Sequence, residues 1–310
     1  MRFSSLVLSA GLGAAATIPR QAGNGCANPT KRVEWRTMKP EVQKQYVDAV
    51  LCLKTKPSGM GLNTTRYDDF PYVHTKLDTS IHAVAQFLPW HRLFVQVYED
   101  SLRDCGYTGP MAYWDWSLDT ADVTKAPVWD PVTGFGGNGD PAIDPLKESS
   151  RKKCLVDGPL KGFEVAYTMN GYDPHCLARN WNSGIAFPGN MLADSYTKEV
   201  VADVNAQSTY VDFRYKLEGG PHGAIHSAVG GDMSPATSPN DPIFSCITSR
   251  SIWQLENPEK RTMEFGGPKT EDKEPGEATL DDVMPYLGLI PDIKVSEVMS
   301  THTSKLCYDY

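Results

Sequence analysis

His74-Thr75-Lys76-Leu77-Asp78-Thr79-Ser80-Ile81-His82, followed shortly by Phe87-Leu88-Pro89-Trp90-His91-Arg92, is the stretch on which the fold turns. It sets three histidines eight and nine residues apart around a proline. On one continuous helix His82 and His91 would point about 180° away from each other, because each residue turns the chain by roughly 100°. Pro89 removes the conflict. A proline lacks an N–H and is tolerated in the first turn of a helix, so a helix is expected to start near Leu88 and to run over 89–105, stopping at Gly106. His82 then lies in the turn before that helix, His91 in its first turn and His74 in the segment upstream. All three can reach one side. The stripe Leu93, Phe94, Val97, Tyr98 and Leu102 marks the core face of the helix.

Two more histidines, His222 and His226, are four apart, which on a helix puts them on one face a turn apart. Pro221 suits the start of that helix. The remaining two of the seven, His175 and His302, stand alone, and an isolated histidine is ordinarily a surface or satisfied core residue. Clustered imidazoles suit copper, zinc, iron or nickel. A zinc hydrolase would want one open three-ligand site with a carboxylate base, a part Glu218 could fill, but two histidine-rich half-sites argue against it.

Working outward, residues 40–54 carry Val42, Tyr46, Ala49, Val50 and Leu53 at helical spacing behind Pro40. Another helix is expected after Asp241-Pro242, with Asp as cap and Pro in the first turn. Residues 115–218 are rich in Gly, Pro, Asn and Asp and read as long ordered loops with short strands. Residues 268–277 read as a charged surface loop.

The chain opens with Met1-Arg2, an apolar run and small residues, the pattern of a secretory signal peptide, placed at residues 1–20 with an approximate boundary; residues 21–310 are then one domain. Net charge is −8 with a pI near 5.4 and no basic cluster, which excludes nucleic acid and anionic membranes as expected partners. Nothing is long and apolar enough to span a bilayer. Of seven cysteines, none spaced CxxC, six can form three disulfides in an oxidising compartment and one is left over. Asn63-Thr64-Thr65 is a glycosylation acceptor.

These residues resemble the tyrosinase, catechol oxidase and haemocyanin group of type-3 copper proteins. The two histidine stretches match its copper motifs, Tyr113-Trp114-Asp115-Trp116 its aromatic stretch, and Ser238-Pro239-Asn240-Asp241-Pro242-Ile243-Phe244 the segment after its second motif. The resemblance covers essentially residues 26–310. It implies a mainly α fold, a four-helix bundle holding a dinuclear copper site with long ordered loops and few short strands. The activity implied is that of a secreted polyphenol oxidase, a copper-dependent oxidoreductase turning o-diphenols into o-quinones with O2. The mapped ligands of the two copper ions are His74, His82 and His91 for one and His222 and His226 for the other. Glu218, four residues before His222, takes the place of a carboxylate that holds a water. Ser80 stands where many relatives have a cysteine joined to the second histidine, so no thioether is expected. Gly223 stands where monophenol-hydroxylating relatives carry Asn, which favours diphenols as substrates. Tyr308-Asp309-Tyr310 resembles the motif that closes the catalytic domain, so a short form without a shielding extension is expected.

The resemblance breaks at one place. Where the family continues Phe-Leu-His-His, with the first histidine as sixth ligand, this chain reads Ser245-Cys246-Ile247-Thr248. Ile247 has no lone pair for a metal. Codons for Ser-Cys-Ile-Thr, read in the neighbouring frame, can encode Phe-Leu-His-His, so a one-base slip or a misplaced splice boundary accounts for residues 245–253, and Cys246 is then the odd cysteine. Taken as it stands, the sequence gives a second expectation, a non-catalytic secreted homologue with a defective second copper site.

Overall fold

The computed structural model describes residues 25–140, 142, 153–182, 190–255, 264–269 and 277–310; the expected signal peptide lies outside them. Seven α-helices lie among these residues. Helix α1 (Pro40–Leu53) has Pro40 in its first turn and buries Tyr46, Val47, Val50 and Leu53, as expected. Helix α2 (Asp69–Ile81) was not expected. It buries Phe70, Val73, His74, Leu77 and Ile81, spaced 3-1-3-4, the stripe of a helix lying on a core. Helix α3 (Phe87–Asp104) begins two residues earlier than Pro89 predicts, so Pro89 is its third residue and His91 its fifth.

Residues 115–218 hold 3-10 turns and a β-hairpin, as expected of ordered loops, but also two short helices that were not: α4 (Lys198–Asn205) and α5 (Tyr210–Leu217). Each has a threonine cap, Thr197 accepting from the Val200 N–H and Thr209 from the Asp212 N–H. Leu217 and Phe213 of α5 form a small apolar cluster with Phe87 and Leu88, fixing α5 against the start of α3.

The helix expected to start near Pro221 instead continues from α5 through a π-turn over Glu218–His222 into α6 (Gly223–Val229). The wider turn makes room for Pro221, whose ring would otherwise meet the carbonyl four residues back, and Gly220 takes the one non-helical backbone conformation. Helix α7 (Ile243–Leu255) starts where Asp241-Pro242 placed it. Asp241 accepts from the Ile243 N–H and holds Arg179 through both oxygens at 2.7 and 2.9 Å. Both side chains are fully enclosed, so this pair anchors the loop region to the start of α7.

The strands are short. Strands β1 (Thr30–Lys31) and β8 (Tyr308–Asp309) pair in parallel, as do β2 (Val33–Glu34) and β3 (Ala112–Tyr113); β4 (Glu164–Thr168) with β5 (Gly171–Cys176), and β6 (Val283–Met284) with β7 (Ile293–Lys294), are antiparallel. One large core joins the helices and loops, with Trp35, Trp90, Trp114 and Trp116 fully buried. Disulfides join Cys26–Cys307, Cys52–Cys105 and Cys154–Cys176, and Cys246 is the free, buried one, matching the expected count. Peptide mapping of the unreduced protein is expected to recover these three pairs. The Cys246 thiol, pushed up to about 12 mainly by burial, should react with a maleimide only after denaturation; labelling of the native protein would contradict its place in the core.

Candidate metal centre

Helices α2 and α3 and the turn between them bring His74, His82 and His91 together, with one ligand atom of each lying within 4.8 Å of the others. Their ring centroids are 4.8 to 5.3 Å apart. His222 and His226, from the π-turn and α6, have centroids 4.5 Å apart. Two phenylalanines pack against both groups. Phe87 packs against His91 at 4.7 Å and His222 at 5.1 Å, and Phe244 packs against His74 at 5.1 Å and His226 at 5.9 Å.

The proton on each ring can be assigned from its partners. Nδ1 of His74 meets the Ala236 carbonyl at 2.6 Å, Nδ1 of His91 the Phe87 carbonyl at 2.7 Å and Nδ1 of His226 the Met233 carbonyl at 3.0 Å. Carbonyls only accept, so each Nδ1 carries the hydrogen and each Nε2 a bare lone pair. Nδ1 of His82 meets the carbonyl of Asp78 at 3.1 Å and its carboxylate at 2.8 Å, with the same result. Ser251 Oγ donates to the Ile247 carbonyl, leaving its lone pair for Nδ1 of His222 at 3.3 Å. All five rings therefore present Nε2 as an acceptor.

Two of those acceptors, Nε2 of His74 and of His91, face each other at 3.1 Å. With no hydrogen between them they repel, unless a cation sits between. That spacing suits two imidazoles sharing one ion at roughly 2 Å each. Nε2 of His226 is buried with no partner at all, which is costly unless something electrophilic fills the place. The residues present thus fit metal binding at both groups.

His175 and His302 lie elsewhere, paired with Asp232 and Asp309 at 2.8 Å each, as isolated histidines ordinarily are. Glu218, expected to hold a water, has both oxygens engaged: Oε1 accepts from the Ala83 N–H at 2.6 Å and Oε2 from Arg214 at 2.8 Å. Six cysteines are in disulfides and the free one, Cys246, lies on α7, so no thiol takes the place of Ser80 beside His82 in the chain. Ile247 is fully buried. It lies one turn from Phe244 and one from Ser251, on the stripe of α7 turned towards the histidines. Its neighbours Thr248 and Ser249 bury hydroxyl oxygens that have no partner, a mismatch worth about 1–3 kcal/mol each.

Sequence reasoning missed Ser251, Ala236 and Met233 as supports of the histidines. The two carbonyls have no sequence signal, but Asp78, one turn before His82 on a helix, did.

The common central domain of tyrosinase matches residues 64–247, ending at Ile247, where a sixth histidine was expected. The tyrosinase-like protein phomQ1 of Diaporthe leptostromiformis is 38% identical over 306 residues, covering 92% of this chain and 78% of that one. Tyrosinase ustQ of Aspergillus flavus is 35% identical, covering 98% and 84%. Among solved structures, a polyphenol oxidase variant from Thermothelomyces thermophila is similar with a TM-score of 0.74 and 28% identity, covering 91% and 88%. The chain belongs to the tyrosinase family. It is a type-3 copper polyphenol oxidase-like protein with the helical core of that group.

Burial keeps four of the imidazoles neutral. His74, His91 and His222 are held well below the usual histidine range by burial first and by neighbouring histidines second. His226 is held at about 4 by burial, with the Met233 carbonyl working the other way. In the unfolded chain they protonate near about 6.5. Below that pH the unfolded state binds more protons than the folded one, so stability must fall as pH falls. The Tm of metal-free protein is expected to drop steadily between about pH 6.5 and about pH 4; a flat profile would mean that the rings protonate freely in the fold.

Proposed function

We propose that this chain is built as a secreted polyphenol oxidase that oxidises o-diphenols to o-quinones with O2, on two copper ions held by His74, His82 and His91 and by His222 and His226. The observation that carries the reading is the approach of two bare Nε2 atoms, on His74 and His91, to 3.1 Å. Copper there would supply the redox couple through which O2 takes up the electrons of two catechols, giving two quinones and two waters.

The protein's own residues do the rest. Carbonyls and Ser251 fix the tautomers, and Phe87 and Phe244 pack against histidines of both half-sites and keep water from their rings. Glu218 stands at the edge next to His82, where the lone pairs left after its two bonds could hold a water. Gly223 offers no side-chain amide to help deprotonate a monophenol, which favours diphenols. Three disulfides accord with secretion behind a leader at residues 1–20 and one copper-binding domain over 21–310. The net charge of −8 accords with small phenols rather than nucleic acid or membranes as partners.

Ile247 favours a second reading, a non-catalytic homologue whose second copper has two imidazoles instead of three. The unpartnered hydroxyls of Thr248 and Ser249 fit a stretch that was not selected for this helix, as a frame slip over residues 245–253 would produce. Genomic and transcript reads across these residues test that origin directly.

Copper content per chain tests the function. The protein as written is expected to hold one copper tightly and the second weakly, with little catechol turnover. Ile247→His should bring copper to two per chain and restore turnover. The gain should exceed the roughly 10–100-fold that second-shell losses cost metal sites. Two tight coppers and brisk turnover without the substitution would dispose of the non-catalytic reading; a variant still limited to one copper would remove position 247 from the ligand set.

A further inference from the structure

We infer that Glu218 is a positioning residue that ties the two histidine groups together through the backbone of Ala83, an inference resting on the reading of His82 as a metal-holding group. Helix α2 ends at Ile81, His82 is extended (φ −118°, ψ 152°), and Ala83 is left-handed with φ 57°. A left-handed residue just past a helix is usually glycine, because a Cβ crowds the following carbonyl there, and its N–H usually returns to the helix's own carbonyls. Here the return bond within α2 comes from His82, whose N–H reaches the Asp78 carbonyl. The Ala83 N–H leaves the helix and donates to Glu218 Oε1 at 2.6 Å, across 135 residues of sequence.

The other end of the carboxylate is also held. Arg214 Nη1 donates to Oε2 at 2.8 Å, and the guanidinium is almost fully enclosed, with 5% of its side chain exposed. Arg214, Glu218, His222 and His226 stand at intervals of four. The segment that supplies two of the histidines therefore also supplies the group that reaches the residue after His82. His74 and His91 are enclosed on all sides, but 27% of the His82 side chain is exposed and its ring is bonded to Asp78 of its own helix. Its direction depends on where the chain goes next. A short charge-assisted bond to the next N–H sets that course relative to His222 and His226.

The test compares Glu218→Ala, Glu218→Gln and Arg214→Met in the full chain, by amide exchange at Ala83 in metal-free protein and by chelator competition for copper. Glu218→Ala is expected to speed exchange at Ala83 while amides inside α2 keep their protection, and to weaken copper binding roughly 10–100-fold. Glu218→Gln keeps an oxygen that can accept from Ala83 and should retain most of both properties. Arg214→Met frees only the far end and should fall between, so these two variants decide the matter if the alanine variant does not fold. Wild-type exchange and copper affinity in Glu218→Ala, with turnover alone reduced, would overturn the clamp and leave a water-holding role. Wild-type protein that takes up no copper would instead remove the metal reading of the site, while exchange at Ala83 would still decide whether the clamp exists.

Discussion

Five imidazole lone pairs pointed inward by five donor commitments outward form the constraint on which this structure depends. In a low-dielectric core a bare nitrogen with no partner is expensive, and two facing each other are worse. The fold holds them there by occupying every Nδ1. One turn serves both groups, since the Met233 carbonyl holds His226 and the Ala236 carbonyl holds His74. That turn is fixed in its own right. Gly230 and Gly231 have positive φ, and a Cβ on either would come within 2.2 Å of the Asn180 or Ala178 carbonyl oxygen. Asp232 beside them accepts from the Ala178 N–H and from His175. A histidine outside the centre thus helps to hold the turn that orients two histidines within it.

Helix α7 shows the same logic in reverse. Its start is firmly specified by Asp241, Arg179 and Pro242, and its first turns are buried. Yet Ser245, Cys246, Thr248, Ser249 and Ser251 fill a wholly buried stretch, which hydroxyl residues suit poorly unless each finds a partner. Ser251 does find one in His222, and Ser245 bonds Tyr46 at 2.8 Å. The local sequence and its surroundings agree at some positions and conflict at others, and the conflict is concentrated around position 247.

Prolines and histidine spacing made much of this legible. Pro40, Pro89 and Pro242 announced α1, α3 and α7 because a residue without an N–H has few other places in a helix. The spacing around Pro89 correctly gathered three histidines from two elements. Helix α2 escaped although Phe70, Val73, Leu77 and Ile81 carried its period and Pro71 stood in its first turn, because the segment before His82 was read only as the source of His74. Helices α4 and α5 escaped because each is only eight residues long and lies in a region dominated by turn formers, where a threonine cap is a weak signal beside so many loop residues. The π-turn at Pro221 was invisible for a different reason: it answers a clash that exists only because α5 runs on through Pro221 into α6, and α5 itself had not been expected. The carbonyl supports of His74 and His226 come from the backbone, whose chemistry is the same at every residue and leaves no trace in the sequence.

The pairing of β1 with β8 and the bond between Cys26 and Cys307 close the described body into a covalent ring spanning 281 residues. Arg32 lies over the Tyr308 ring at 3.5 Å, and Tyr310 donates to the Ser249 carbonyl of α7, so the seam of the ring is welded to the helix beside the histidine groups. A crosslink over so long a loop removes chain entropy from the unfolded state, on the order of 5 kcal/mol in the chain-entropy model. It also changes what a single cut can do. A protease that nicks any surface loop between those cysteines opens the ring without releasing a fragment, and all five histidines stay on one covalently continuous strand.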